Sequence, residues 1–220
     1  MIEARILTSN VQWAAFPAGW LHRGTLRTLR GGRQAGLSIA TIKLFIALNL
    51  RIDADGAVNL TSKELIDLTR ISSAAMTQAI RRLVGLNMMS VSRQHSTGSR
   101  YWIGIDDVWC RLPYANEPRL HHLIAAASTR NLALDCLKIY LIICANADAI
   151  HPCFEMTPTR MTSLTGIPSF RLPAAVAYLA QHQLISQAPP PSQEPLGWIG
   201  RLPLPVIDID NRTRPELHSF

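Results

Sequence analysis

The segment 73–85 combines helical spacing with side chains that can recognise the edges of bases. Its apolar residues recur at intervals of three and four and predict a helix capped by Ser73. They are Met76, Ala79, Ile80 and Leu83. The opposite face would expose Ser73, Ala74, Thr77, Gln78, Arg81 and Arg82. Glutamine can pair with adenine and arginine with guanine, whereas hydroxyls can reach bases or phosphates. The predicted face therefore has the chemistry of a nucleic-acid contact.

Further candidate phosphate ligands lie on both sides of this helix. The preceding turn contributes Arg70 and Ser72. The following stretch, which is predicted to join two strands, contributes Arg93, Gln94, His95, Ser96, Thr97, Ser99 and Arg100. Four arginines precede residue 36 at spacings of 4, 3 and 3. If this segment is helical, they would form one charged stripe along the helix; if it is disordered, it would be an arm that follows the DNA. They are Arg23, Arg27, Arg30 and Arg33. The alternative is that these side chains form an ordinary solvated surface.

The positive charge is concentrated in the same part of the chain. The net charge is +7, and residues 1–105 hold 13 of the 22 basic side chains but five of the 15 acidic ones. Such an excess indicates a polyanionic partner, most often nucleic acid. The longest apolar stretch, 137–147, contains Lys138 and is too short for a membrane span. The N-terminus lacks the pattern of a signal peptide, and four cysteines without a framework spacing fit a reducing cytoplasm.

The chain contains an internal repeat. Residues 60–92 align without a gap with residues 156–188 at an offset of 96, and eight of 33 pairs are identical, where average composition would give roughly two. The same offset aligns Trp102 with Trp198. We therefore predict two copies of one domain; the alternative is two unrelated helical stretches with similar apolar periodicity. The predicted boundaries are 1–35 for a basic N-terminal arm, 36–105 for copy one, 106–130 for a linker, 131–203 for copy two and 204–220 for a tail.

Each copy is predicted to run helix, strand, helix, turn, helix and two-stranded hairpin. Thr61 and Glu64 have the spacing of a capping box, and Asp55-Gly56 predicts a turn. The run Ile71-Ser72-Ser73 to Arg81-Arg82-Leu83-Val84-Gly85-Leu86, followed by a hairpin that ends Arg100-Tyr101-Trp102-Ile103, resembles the winged helix-turn-helix family. The fold class that this resemblance implies is mainly α with small β wings (α+β), arranged as two tandem winged helix-turn-helix domains. It also implies that the third helix lies in the major groove of DNA.

Copy two does not repeat the side chains of that face. At offset 96, Gln78 corresponds to Ala174 and Arg81 to Ala177. The replacing face is apolar, and an exposed apolar strip usually marks a partner surface. We therefore expect a dimer or partner interface at Phe170, Ala174, Ala177 and Tyr178. The alternative is that this face packs against copy one or the tail of the same chain.

These observations predict sequence-specific binding of double-stranded DNA by a transcriptional regulator that acts as a homodimer. Copy one would bind DNA and copy two would dimerise or bind a protein partner. No catalytic constellation is visible, and Cys144, His151 and Cys153 lack a CxxC pair and a fourth ligand. We therefore expect no enzyme, cofactor or metal, and a cytoplasmic, nucleoid-associated protein without membrane contact.

Two alternatives remain open, because tandem winged helices also resemble two other kinds of protein. The first is the replication initiator of a plasmid or other mobile element, in which both copies would bind origin repeats. The second is an interaction subunit similar to the kleisin-binding subunits of bacterial condensins, which would bind no specific DNA site. Those subunits are usually acidic, whereas this chain is basic.

Overall fold

Helices and three small antiparallel sheets form an α+β architecture in the computed structural model of the chain. The structure describes residues 13–53, 55–94, 98–104, 108–113, 117–146, 153–187 and 198–201. The helices are α1 (Gly19–His22), α2 (Ala35–Asn49), α3 (Ser62–Thr69), α4 (Ser73–Gly85), α5 (Glu117–Ala126), α6 (Arg130–Asn146), α7 (Pro158–Thr165) and α8 (Leu172–Gln181). The strands are β1 (Trp13–Pro17), β2 (Ala57–Leu60), β3 (Met89–Gln94), β4 (Gly98–Ile103), β5 (Trp109–Pro113), β6 (Cys153–Met156), β7 (Ser186–Gln187) and β8 (Trp198–Arg201).

The two copies have the same order of elements. Copy one runs α2-β2-α3-α4-β3-β4, and copy two runs α6-β6-α7-α8-β7-β8. Their three-stranded antiparallel sheets have the matching orders β2-β4-β3 and β6-β8-β7. β6 and α7 begin 96 residues after β2 and α3, which is the offset found in the sequence, and α6 begins 95 residues after α2. The internal similarity of the sequence is therefore accompanied by two segments of equal topology.

Equivalent helix starts use the same chemistry. Thr61 is the N-cap of α3 and forms the predicted capping box with Glu64, whose backbone N–H donates to the Thr61 hydroxyl at 3.2 Å. Thr157 caps α7 in the same way and accepts from the N–H of Arg160 at 3.3 Å. The helices also end alike, because Arg70 (φ 52°) and Gly166 (φ 71°) both adopt the left-handed conformation. The predicted turn before α4 is confirmed.

The first helices of the two copies pack against each other and share one core. α2 and α6 are in contact, and the buried apolar residues of both copies belong to a single cluster. α6 is buried on all sides from Ala133 to Cys144, and α2 is almost as enclosed. A helix that is apolar all round is one that lies inside a protein. Ile42, Phe45 and Ile46 are thus only one part of the buried surface of α2.

The segment before copy one differs from both predicted conformations. Its described residues form neither one helix nor a disordered arm, but β1, α1 and two 3-10 turns at Thr25–Thr28 and Gly32–Gln34. Aromatic packing is the physical reason, because the rings of Phe16 and Trp20 both meet the ring of Phe45 at 5.3 Å between centroids. β1 also pairs with β5, a strand that was not predicted within the linker.

Smaller differences concern helix ends and exposure. The N-cap of α4 is Ser72, not Ser73, since the Ser72 hydroxyl accepts from the N–H of Ala75 at 3.3 Å. Of the predicted apolar face of α4, Ile80 is half-buried, whereas Met76, Ala79 and Leu83 are buried. Within the described part of the chain, no helix has the length and apolar character needed to cross a membrane.

Candidate nucleic-acid interface

α4 presents a polar face to solvent because its apolar face is anchored in the core of copy one. Met76, Ala79 and Leu83 are buried, and α4 packs on α2 and α3. The predicted face is exposed at Ser73, Ala74, Thr77, Gln78 and Arg81. The side chains of Gln78 and Arg81 have no hydrogen-bond or ion-pair partner among the described residues. Their donors and acceptors are therefore available to a ligand.

The hydroxyl residues around α4 are partly engaged within the fold. The Thr77 hydroxyl donates to the Ser73 carbonyl at 3.0 Å, which leaves its lone pairs as acceptors. The Ser72 hydroxyl caps the helix. Arg70, in the turn between α3 and α4, is exposed. These residues lie beside the exposed face of α4, as predicted, but only Arg70 among them carries a charge.

Arg82 does not belong to the exposed face, and this part of the prediction is wrong. Its side chain is half-buried, and its guanidinium donates to the Thr28 carbonyl at 2.6 Å and to the Ser38 hydroxyl at 3.3 Å. Burial lowers the pKa of Arg82, and the nearby positive charge of Arg30 lowers it further. Helix geometry explains the difference, because Arg82 lies one residue beyond Arg81 and turns toward α2 and the segment before it.

The hairpin of β3 and β4 supplies a second polar region. Arg100 is half-buried, lies 3.6 Å from the Asp55 carboxylate and has its guanidinium 4.3 Å from the centre of the Trp102 ring. The half-buried Ser99 hydrogen-bonds Tyr101, whose pKa is raised by burial. Arg93 pairs with Ser99 across the hairpin through its backbone. The predicted contacts of the Arg93 side chain, His95 and Thr97 lie outside the described residues.

The arginine loop, residues 23–34, forms a third basic region. Arg23, Arg27, Arg30 and Arg33 are all exposed, but two 3-10 turns distribute them over the loop instead of along one helical stripe. No aspartate or glutamate occurs between residues 13 and 34. The Arg82 contact joins this loop to α4, so the structure brings two of the predicted basic regions together.

Copy two presents an apolar surface at the position equivalent to the polar face of α4. Phe170 is 79% exposed, and Ala174 and Ala177 are exposed as well. Tyr178 is half-buried, with its ring 4.6 Å from the ring of His182. In the described residues this face is not packed against copy one. Three of its four predicted members are therefore open to solvent.

Most of the charge near α8 is already used inside copy two. Arg171 forms an ion pair with the buried Asp135, and Lys138 donates to the Thr165 carbonyl at 2.7 Å. Burial lowers the pKa of Lys138 to about 8, although the Asp135 carboxylate counteracts part of the effect. Arg160 remains exposed on α7. On the exposed face of α8, Ala174 and Ala177 therefore stand where α4 offers the polar side chains of Gln78 and Arg81.

Two polar residues of this region were not identified from the sequence. Ser38 contacts Arg82, and Asn131 of α6 accepts from the N–H of Gly32 at 2.7 Å. The presence of a serine within the apolar run of α2 could have identified Ser38 from the sequence, whereas no sequence pattern near Asn131 distinguishes that residue.

Among the described residues, no group of three or more His, Cys, Asp and Glu could hold a metal ion. Cys144 is buried, burial raises its pKa well above its ordinary value, and His151 lies outside the described residues.

No protein-family model and no curated protein matches the chain. The function must therefore be inferred from the side chains that the fold exposes. These lie on α4 and the β3–β4 hairpin of copy one, on the arginine loop that precedes copy one, and on the apolar face of α8 in copy two.

Proposed function

We propose that the chain is a double-stranded-DNA-binding protein with two tandem winged helix-turn-helix domains, and that it acts as a transcriptional regulator. The matching element orders and sheet orders of the two copies support the winged-helix assignment. The observation that carries the functional proposal is the exposed, unpartnered pair Gln78 and Arg81 on α4. Their positions fit the helix that enters the major groove in this kind of domain.

Binding would combine base contacts with phosphate contacts. Gln78 and Arg81 are one helical turn apart and can address neighbouring base edges. Arg70 in the turn and Arg100 in the hairpin flank α4 and suit phosphates, which fix orientation without reading sequence. The positive charge of copy one supplies the long-range attraction to DNA.

Dimerisation would use copy two. The exposed apolar face of Phe170, Ala174 and Ala177 is suited to a second copy of the same face, because twofold dimers bury one patch against itself. Such a dimer would place two copies of α4 on an inverted repeat, with half-sites about 34 Å or a multiple apart. We assign this role to the second domain because Gln78 and Arg81 of the α4 face correspond to Ala174 and Ala177.

Enrichment of genomic fragments by the purified protein at ~150 mM salt tests the proposal, since non-specific phosphate binding weakens steeply with salt. We expect one inverted repeat upstream of a gene. An array of direct repeats would instead support the replication initiator, in which both domains bind origin repeats. Binding that disappears with salt and enriches no sequence would contradict DNA recognition and favour the protein-interaction subunit.

A further inference from the structure

The arginine loop is held in place by both copies. On one side, Arg82 of α4 donates to the Thr28 carbonyl at 2.6 Å. The Ser38 hydroxyl, itself a partner of Arg82, donates to the Arg30 carbonyl at 2.8 Å. On the other side, Asn131 of α6 accepts from the N–H of Gly32 at 2.7 Å. The loop backbone is thus fixed between the helix proposed to read DNA and the first helix of copy two.

Close packing leaves little room for the loop to move toward copy two. A Cβ added to Gly31 would lie 2.8 Å from the Asn131 side-chain oxygen, and one added to Gly166 would lie 3.3 Å from the Cα of Arg27. A Cβ added to Gly24 would lie 3.9 Å from the Ser163 carbonyl oxygen of α7, which is an ordinary van der Waals contact. Copy two therefore supports the loop from α6 and from α7.

The backbone of the loop places three arginine side chains in solvent. Arg27, Arg30 and Arg33 are exposed, and none of them forms an ion pair with a described carboxylate. The charge of Arg30 acts on Arg82, whose pKa it lowers. An anion bound at this loop would relieve that repulsion, and a phosphate offers the oxygens that arginine binds best.

We infer that the arginine loop is a preformed clamp for the DNA phosphate backbone beside α4, and that Arg82 and Asn131 are positioning residues that hold the clamp without touching DNA. The inference rests on the proposed function, and it changes the role of Arg82 from a DNA contact to a support. It also gives copy two a part in DNA affinity, although Ala174 and Ala177 stand on α8 where α4 carries Gln78 and Arg81. A loop ordered before binding loses less conformational entropy when it binds.

The salt dependence of DNA affinity distinguishes this clamp from the base contacts. Each phosphate contact contributes a slope of about −0.9 to a plot of log affinity against log salt concentration. The exposed pair Arg30→Ala with Arg33→Ala should reduce the magnitude of the slope by about 1.8. It should also weaken binding to the specific duplex and to a random duplex by the same factor. A slope equal to that of the unchanged protein would overturn the clamp.

Two further variants test the positioning role. Arg82→Lys keeps the positive charge. The lysine ammonium lacks the planar fork of the guanidinium and cannot donate to both the Thr28 carbonyl and the Ser38 hydroxyl in the same geometry. Asn131→Ala changes no charge and lies in copy two. Both should reduce the magnitude of the salt slope, with folding checked by thermal unfolding. An unchanged slope in both folded variants would show that the loop needs no support from them, and would overturn this part of the inference.

Arg51→Ala is the matched control. It removes one arginine at the opposite end of α2 from Ser38, about 20 Å away at 1.5 Å per residue. Its salt slope should equal that of the unchanged protein. If the unchanged protein binds no duplex even at low salt, both the proposed function and the phosphate clamp are wrong. If specific binding is present but the loop variants behave like Arg51→Ala, the clamp alone is wrong.

Discussion

Thr69 and Thr165 make the same hydrogen bond at equivalent positions of the two copies. The Thr69 hydroxyl donates to the Leu65 carbonyl at 2.6 Å, and the Thr165 hydroxyl donates to the Met161 carbonyl at 2.7 Å. Both threonines are completely buried. The two copies thus keep their internal framework, whereas the exposed faces of α4 and α8 have different chemistry. This contrast supports the proposal that copy one binds DNA and copy two forms the dimer.

Contact between the arginine loop and copy two should appear as a difference between two glycine substitutions. Gly56 (φ 77°) and Gly166 (φ 71°) are both left-handed, so alanine costs about 1 kcal/mol at either one. A Cβ at Gly56 has no neighbour within 4 Å, whereas one at Gly166 meets Arg27. Urea unfolding should show a larger loss of stability for Gly166→Ala than for Gly56→Ala. Equal losses would mean that α7 is not packed against the loop.

Lys138 should make stability depend on alkaline pH. Its pKa is about 8 in the folded protein, below the ordinary 10.5, because burial outweighs the attraction of Asp135 and the positive charges of Arg171 and Arg82 lower it further. Between these two values the unfolded chain binds more protons than the folded one. The free energy of unfolding contributed by Lys138 therefore rises with pH, by up to about 3 kcal/mol.

Comparison with Lys138→Met isolates this contribution. Urea unfolding at several pH values from 7.5 to 10.5 should show the unchanged protein gaining stability relative to the variant. The comparison is needed because burial raises the pKa of Cys110 and Cys136 to about 12, so their thiols oppose stability at high pH in both proteins. A constant difference between the two proteins across this range would show that Lys138 is not buried as described.

Dimerisation through copy two should be sensitive to one exposed ring. Phe170 is 79% exposed within one chain, so Phe170→Asp should leave the fold intact. In a dimer it would place an uncompensated charge in an apolar interface, which opposes association. Sedimentation should show a dimer for the unchanged protein and a monomer for the variant. The control is Val84→Asp, which introduces the same charge at a 41% exposed apolar position of α4 and should remain dimeric. If the Phe170→Asp variant is still a dimer, this interface is excluded.

Local sequence patterns predicted the elements of copy one well, because short-range chemistry determines them. Thr61 and Glu64 form the predicted capping box at the start of α3, and the predicted turn at Asp55-Gly56 immediately precedes β2. The offset of 96 also predicts where the equivalent elements of copy two, β6 and α7, begin. The polar face of α4 was also predictable, since Met76, Ala79 and Leu83 determine which side is buried.

Features that depend on long-range contacts were not predictable in this way. The exposure of Arg82 was predicted wrongly, because its partners Thr28 and Ser38 lie 54 and 44 residues away in sequence. β1 and β5 pair over a still longer separation, and Trp13 lies opposite Pro113 at one end of that pairing. Such contacts depend on how α2 and α6 pack, which no local pattern specifies.

The most direct test of DNA recognition by α4 measures specificity, not affinity alone. Affinities for an enriched duplex and for a random duplex are compared at ~150 mM salt for the unchanged protein, Gln78→Ala, Arg81→Ala and the control Arg51→Ala. Loss of one bidentate base contact costs about 1–3 kcal/mol. We expect Gln78→Ala and Arg81→Ala to lose that much preference for the enriched duplex, with Arg51→Ala unchanged. Full preference in both α4 variants would contradict the central claim.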